Sequence, residues 1–152
     1  MKVYRIAKAK YISDLSGIGA RLYGGRWNNK GIGIIYTSET RALATVEYLV
    51  HVPLAMVPNN LCIATLEIPD DIGVKKILIP DLPPDWRSCP APFELAQLGT
   101  SWVLSNETLL LRVPSAVVEH EFNILINPSH PGMKHVMISR IENYRFDNRL
   151  IK

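Results

Sequence analysis

Short runs of apolar, β-branched residues dominate this chain, and glycine or proline separates many of them. Such runs predict strands, because β-branched side chains pack well on the pleated surface of a sheet. Seven strands are predicted: Val3–Ile6, Gly33–Thr37, Leu61–Ile68, Val74–Ile79, Leu109–Val113, Phe122–Ile126 and Val136–Arg140. Because few helical patterns lie between them, the sequence predicts an α+β fold with a curved or split sheet.

One segment has the apolar spacing of an amphipathic helix. It runs from Thr40 to about His51, with Ser38 as the expected N-cap and Pro53 just beyond its end. The apolar positions that recur at helical intervals are Leu43, Val46, Leu49 and Val50. We therefore expect this stripe to be the buried face of the helix.

Five prolines lie between Pro80 and Pro92, and they exclude a central strand or a regular helix there. Because the flanking segments are apolar and neither half would be stable alone, we expect an ordered excursion within a single domain spanning residues 1–152. A shorter helix is predicted at Pro92–Leu98, ending at Gly99. No site residue is predicted between Pro80 and Thr108.

Composition is that of a globular protein and narrows the range of partners. The 152 residues are 47% hydrophobic and 20% charged, and the net charge is only +3. No run of Lys or Arg exceeds two residues, so direct binding to nucleic acid is not expected. The N-terminus lacks the apolar region of a secretion signal, and no apolar run approaches the roughly 20 residues that cross a bilayer. We expect a soluble cytoplasmic domain that does not bind membranes.

Metal sites and disulfides are not expected. Cys62 and Cys89 lie far apart, and neither has a neighbouring cysteine that would complete a zinc-binding pair. His120 and His130 lack a third ligand at helical or hairpin spacing, so we expect solvated loop histidines.

Glu47 departs from the pattern of the predicted helix. It lies beside Val46 and one turn from Leu43 and Val50, so its carboxylate borders the apolar stripe. Helix geometry leaves two interpretations open. The carboxylate either reaches water at the edge of the stripe, or it is desolvated and functional, since burying an unpaired carboxylate is costly. His51, one turn later, is expected to cap the helix C-terminus.

A glycine-rich turn contains a single arginine, in the segment Gly24-Gly25-Arg26-Trp27-Asn28-Asn29-Lys30-Gly31. Glycines let the backbone approach a ligand closely, and arginine can bind phosphate or carboxylate through two parallel hydrogen bonds. The segment matches neither a P-loop nor a dinucleotide-binding motif. Taken alone, it is also compatible with a hairpin turn that carries a surface arginine.

Three more polar residues lie in or directly after predicted strands. Tyr36 precedes the expected helix, where either a ligand-binding tyrosine or a core tyrosine with a backbone partner fits. Ser115 follows a strand and a proline, but it is not in a G-x-S-x-G elbow, which argues against an α/β-hydrolase nucleophile. Asn123 could point toward a ligand or cap a turn.

Together these segments resemble the RES domain, which is named for an arginine, a glutamate and a serine. The resemblance extends from about Tyr4 to Phe146, and the tryptophan after Gly-Gly-Arg is its most distinctive mark. In chain order, the matching segments are Gly24-Gly25-Arg26-Trp27-Asn28, Ile35-Tyr36-Thr37-Ser38-Glu39, Ala44-Thr45-Val46-Glu47 with His51, Val113-Pro114-Ser115, and Glu121-Phe122-Asn123 with Asn127-Pro128.

The resemblance implies a fold similar to that of ADP-ribosyltransferase toxins, with a mainly antiparallel sheet. RES domains are typically toxins of bacterial toxin–antitoxin pairs, with an Xre-type helix-turn-helix antitoxin as partner, and such domains often pair as homodimers. The implied activity is consumption of NAD by hydrolysis or phosphorolysis. NAD is then a substrate, and no cofactor or metal is expected. Protein ADP-ribosylation is the alternative activity.

Carried over residue by residue, the resemblance implies that Arg26, Tyr36, Glu47 and Ser115 are catalytic. Glu47 would stabilise the positive charge that develops on the ribose and orient an attacking water. Arg26 would hold the pyrophosphate, Tyr36 would pack against nicotinamide or ribose, and Ser115 would bind ribose or the carboxamide. Asn123 is a further NAD-binding position. A non-catalytic nucleotide sensor and a module that only docks an antitoxin stay open as alternatives.

Overall fold

The computed structural model describes residues 1–150, which form one sheet of seven strands with three α-helices. The strands are β1 (Lys2–Lys8), β2 (Ile35–Ser38), β3 (Leu61–Glu67), β4 (Val74–Lys76), β5 (Leu110–Pro114), β6 (Phe122–Ile126) and β7 (Met137–Tyr144). The helices are α1 (Ile18–Tyr23), α2 (Arg41–Leu49) and α3 (Phe93–Ser105). Each predicted strand corresponds to an observed one, although β4 ends at Lys76 and a 3-10 turn occupies Ile79–Asp81. The α+β class is confirmed.

The sheet has the strand order β4-β5-β6-β2-β1-β3-β7. Within residues 1–150, β4 and β5 pair in parallel and the other neighbours pair antiparallel. The junction between β1 and β2 is short, with the single register pair Tyr4 opposite Ser38. Side chains from both sides of this junction, among them Val3, Leu66 and Ile124, nevertheless share one buried apolar cluster. The sequence predicts a curved or split sheet, and the structure has one continuous, mainly antiparallel sheet.

A second apolar cluster covers the other face of β2, β6 and β5. It combines Leu111 and Leu125 from the strands with Trp102 of α3 and Trp86 of the proline-rich segment. Tyr36 also packs against this cluster. Side chains alternate along a strand, so residues two apart point to the same face. Ser38 of β2 and Asn123 of β6 therefore lie on the same face of the sheet as Tyr36 and Leu125.

Helix α2 begins later than predicted, because Thr40 and not Ser38 is its N-cap. The Thr40 hydroxyl accepts a hydrogen bond from the Leu43 amide at 3.0 Å, whereas Ser38 still belongs to β2. The helix ends at Leu49, and His51 is exposed in the following turn. Ser38 therefore projects from the sheet instead of capping the helix.

The buried face of α2 is rotated relative to the predicted stripe. Thr45 is buried, whereas Val46 and Val50 are 36% and 54% exposed. Burial of this threonine is possible because its hydroxyl donates to the Arg41 carbonyl at 2.9 Å and also contacts the Tyr144 hydroxyl of β7. The prediction was wrong for both valines, since a polar residue with its own partners takes part of the buried face.

Helix α3 continues through Gly99, which was wrongly predicted to end it. A Cβ atom at position 99 would lie 1.7 Å from the carbonyl oxygen of Trp27, so a side chain there cannot fit. The helix ends instead at Asn106, which adopts the left-handed conformation. The glycine thus marks a close contact between α3 and the glycine-rich turn.

The described part of the chain contains neither a helix long and apolar enough to span a bilayer nor a group of three acidic, histidine or cysteine side chains able to hold a metal ion. Cys62 is buried and Cys89 is exposed, and both are free thiols.

Candidate active site

Glu47, Ser115 and Asn123 meet in the structure, although Glu47 is 68 and 76 residues away from the other two in the chain. The Ser115 hydroxyl donates to Glu47 Oε1 at 2.7 Å, and Asn123 Nδ2 donates to the same oxygen at 2.7 Å. Among residues 1–150, Oε2 accepts no hydrogen bond. The protein therefore fixes one edge of the half-buried carboxylate and leaves the other oxygen available.

Ser38 fixes the orientation of Asn123. Its hydroxyl donates to Asn123 Oδ1 at 2.7 Å, and the two residues lie directly opposite each other on β2 and β6. Because a carboxylate only accepts hydrogen bonds, the amide must turn its nitrogen toward Glu47 and its oxygen toward Ser38. Sequence reasoning assigned Ser38 to the helix cap and missed this contact. The available signal was its position two residues after Tyr36, on the same strand face.

The hydroxyl of Ser115 is saturated by the protein itself. It donates to Glu47 and accepts hydrogen bonds from the amides of Val117 and Val118 at 3.1 and 3.0 Å. A hydroxyl has one donor and two acceptor positions, and Ser115 is only 2% exposed. In this arrangement the serine contacts the carboxylate and its own turn, not the open part of the site.

Tyr36 anchors the glycine-rich turn to β2. Its hydroxyl accepts from the Trp27 amide at 3.1 Å and donates to Asn28 Oδ1 at 2.6 Å. The turn approaches this closely because a Cβ at Gly25 would lie 2.8 Å from the tyrosine oxygen. Burial raises the pKa of Tyr36 far above its ordinary value, against the opposing effects of the Trp27 amide and the Arg26 charge. The phenol is therefore a neutral group throughout the physiological range.

Arg26 is held by backbone carbonyls of the proline-rich segment. Its Nη1 donates to the Trp86 carbonyl at 2.8 Å, and its Nη2 donates to the Ser88 carbonyl at 3.2 Å. No carboxylate of residues 1–150 lies within ion-pair distance of this guanidinium. Arginine has five N–H donors, so two are used and the others remain for an anion. The carbonyls thus orient the charge without neutralising it.

Tyr36 and Ser38 link the two charged groups to adjacent positions on one strand face. Tyr36 holds the turn that carries Arg26, and Ser38 holds Asn123 and through it Glu47. Residues two apart on a strand are separated by about 7 Å. The residues that anchor the arginine-bearing turn and the carboxylate therefore start from neighbouring positions on the same side of the sheet.

The histidines lie outside this network. His120 is exposed and adopts a positive φ of 64°, and His51 is exposed after α2. The His130 Nδ1 atom accepts a hydrogen bond from the Gly132 amide at 2.9 Å and so caps a short 3-10 turn. None of the three forms a hydrogen bond with Glu47 or Arg26 within residues 1–150.

Two clefts of about 240 and 340 Å³ open elsewhere on the surface. The smaller lies between the ends of β3 and β7, and the larger lies beside Tyr4, Arg41 and Glu142. Neither is lined by a predicted site residue. The candidate site is defined by its converging polar side chains, Glu47, Ser115 and Asn123.

The family match covers almost the whole chain, with the RES domain aligning to residues 2–147. A "Prs ADP-ribosylating toxin" of Sphingobium sp. (strain YBL2) is 37% identical over 96% of this chain and 92% of that protein. A "Toxin Res" of Yersinia enterocolitica is 37% identical over 99% of each chain, and one of Photorhabdus laumondii is 35% identical over 100% of this chain and 98% of that protein.

The fold comparison agrees. A chain of the crystal structure of the M. tuberculosis MbcT–MbcA toxin–antitoxin complex superposes with a TM-score of 0.72 and 19% identity, covering 94% of this chain and 83% of that one. The ordered arginine, glutamate and serine, the shared fold and the match over residues 2–147 lead to one conclusion. The chain belongs to the RES domain family, and its relatives at 35–37% identity are toxins.

Proposed function

We propose that this RES toxin domain consumes NAD by cleaving the nicotinamide–ribose bond, with NAD as substrate and without a cofactor or metal. The observation that carries the proposal is the Glu47 carboxylate, whose Oε1 is held by two donors while Oε2 has none within residues 1–150. As nicotinamide leaves, positive charge develops on the ribose, and a fixed carboxylate beside it stabilises the transition state. Because Oε1 is already held, little reorientation accompanies the reaction.

Arg26 supplies the second recognition element. It is a half-buried cation held by neutral carbonyls, which suits the pyrophosphate of NAD. One ribose ring and its 5′ methylene group separate the reacting carbon from the nearest phosphate. Tyr36 and Ser38, through which the two charged groups are held, are two residues apart on β2, which is compatible with this short span. In this proposal Tyr36 also packs against nicotinamide or ribose, while Asn123 and Ser115 act on NAD chiefly by holding Glu47.

Two candidate functions differ in the molecule that accepts the ADP-ribosyl group. Water or phosphate as acceptor gives depletion of NAD. A protein side chain as acceptor gives ADP-ribosylation, and the name of the Sphingobium relative, an ADP-ribosylating toxin, favours this second candidate. Both share the cleavage step that Glu47 would assist, so the site chemistry is common to them.

Purified protein mixed with NAD, with and without phosphate, separates these functions through the release of nicotinamide measured by chromatography. We expect release that falls by about a thousandfold in Glu47→Gln. Release only in the presence of cell extract, with labelled ADP-ribose transferred to a protein, would assign the second function. Absence of release under every condition would contradict the proposed bond cleavage and favour a nucleotide sensor or a docking module.

The proposed setting is the cytoplasm, where the toxin is paired with an Xre-type helix-turn-helix antitoxin and forms a homodimer within the complex. The relatives named as toxins and the fold shared with a chain of a toxin–antitoxin complex support this pairing. Expression without antitoxin should arrest growth and lower cellular NAD, and coexpression should restore both. Arrest with unchanged NAD would point to modification of a protein target.

A further inference from the structure

The tripeptide Trp86-Arg87-Ser88 contacts both loops that carry the site. Its outer carbonyls accept the two hydrogen bonds from Arg26. The side chain between them reaches the turn after Ser115, where Arg87 Nε and Nη2 each donate to the Ala116 carbonyl at 3.3 Å. The proline-rich segment therefore bridges the cation and the serine turn, although no site residue was predicted there.

Two apolar side chains anchor the segment in the core. Leu82 and Trp86 are 8% and 7% exposed and belong to the same apolar cluster as Trp27 and Val113. The ion pair of Arg87 with Glu119 is exposed on both sides, 39% and 69%, so it contributes little. The guanidinium also lies over the Trp86 ring, 5.8 Å from its centroid, and its two hydrogen bonds to the Ala116 carbonyl connect the segment to the serine turn.

The Ala116 carbonyl and the Val117 N–H belong to one planar peptide unit. A hydrogen bond that fixes the carbonyl therefore also fixes the direction of the N–H. The Val117 N–H donates to Ser115 Oγ, and Ser115 donates to Glu47. A continuous chain of hydrogen bonds thus runs from a guanidinium through a peptide group and a hydroxyl to the carboxylate. Bonds arranged in series polarise one another and strengthen the whole chain.

We propose that Arg87 is a positioning residue for Glu47, acting through the Ala116–Val117 peptide and Ser115. The inference rests on the proposed cleavage of NAD by this site. It assigns the proline-rich segment a role in the reaction step and not in NAD binding, because the carbonyls that hold Arg26 belong to the backbone and stay in place when the side chain is removed.

Steady-state kinetics of Arg87→Ala test this role. We expect kcat to fall about tenfold with KM for NAD nearly unchanged, since small displacements of catalytic groups are costly. Arg87→Lys should recover part of the loss, because an ammonium can still donate to the Ala116 carbonyl. Glu119→Gln and the matched surface change Arg140→Ala should behave like the wild type. An unchanged kcat in Arg87→Ala overturns the proposal, and so does a rise confined to KM, which would make Arg87 a substrate ligand.

Amide hydrogen exchange supplies a readout that needs no NAD. In Arg87→Ala the Val117 amide should exchange about five times faster, while β3 amides such as Ile63 keep their protection. Unchanged exchange at Val117 overturns the inference whatever the activity. If Val117 responds but the wild type never cleaves NAD, the positioning contact stands and the proposed function fails. Should Arg87→Ala not fold, the same comparison is made with Arg87→Met, which keeps an unbranched side chain but has no donor for the Ala116 carbonyl.

Discussion

The carboxylate and the cation of the site are held by different parts of the protein. Glu47 is fixed by side chains, Ser115 and Asn123, which converge on one of its oxygens. Arg26 is fixed by backbone carbonyls, which occupy two donors and leave its charge uncompensated within residues 1–150. The first arrangement makes an orientation rigid, as stabilisation of a transient charge requires. The second keeps donors free, as binding of a stable anion requires.

Replacing the carboxylate itself should have the largest effect. Glu47→Gln removes the charge but keeps a carbonyl that can accept from Ser115 and Asn123, so the fold should be retained. We expect NAD cleavage to fall by about a thousandfold. Nicotinamide release and the thermal unfolding midpoint are the measurements. Turnover at the wild-type rate would show that Glu47 is not the catalytic carboxylate.

Loss of the Ser115 hydroxyl should come next. Ser115→Ala removes one donor from Glu47 and leaves the amides of Val117 and Val118 without their acceptor, so kcat should fall about 100-fold. The free energy of unfolding should drop by about 1–3 kcal/mol, because these amides lose their partner. Denaturant titration and a separate determination of kcat and KM decide the outcome. A raised KM with normal kcat would instead identify Ser115 as a ligand of the substrate.

Replacement of Arg26 should have a smaller effect, and on the affinity for NAD instead of the rate of cleavage. Arg26→Lys keeps the charge but cannot donate to both carbonyls and an anion with the same geometry, so affinity for NAD should weaken about tenfold. Calorimetric titration measures it, with Arg149→Lys as the control because that exposed arginine pairs only with Asp147 within residues 1–150. Equal affinities would remove Arg26 from the phosphate-binding role.

The smallest effect should come from Ser38, which acts on the carboxylate through one intermediate. Ser38→Ala leaves Asn123 Oδ1 without its donor, and kcat should fall about fivefold, in line with one ordinary hydrogen bond. Ser38→Thr keeps a hydroxyl and should restore most of the rate. If the alanine and threonine variants lose activity equally, the effect comes from packing in β2 and not from the orientation of Asn123.

The different ways in which Glu47 and Arg26 are held also explain which parts of the site could be predicted from the sequence. Strands were predictable from β-branched runs, and Glu47 stood out because it bordered an apolar stripe. Ser38 could not be assigned, because its role depends on the register that places it opposite Asn123. The partners of Arg26 were equally hidden, since any residue type supplies a carbonyl. A glycine at position 99 is compatible both with a helix end and with close packing. Only the position of the Trp27 carbonyl shows that close packing is the reason.

Because only one of the two Glu47 oxygens accepts hydrogen bonds from residues 1–150, an inhibitor should bind the carboxylate through the other oxygen. A guanidine or amidine binds a carboxylate through both oxygens and would have to displace Ser115 or Asn123 from Oε1. A sugar-like ring with one protonated nitrogen needs only Oε2, and it also imitates the charge that the reaction creates on the ribose. Joining such a ring to a phosphate for Arg26 would match both ends of the site, each through the atoms that the protein leaves available.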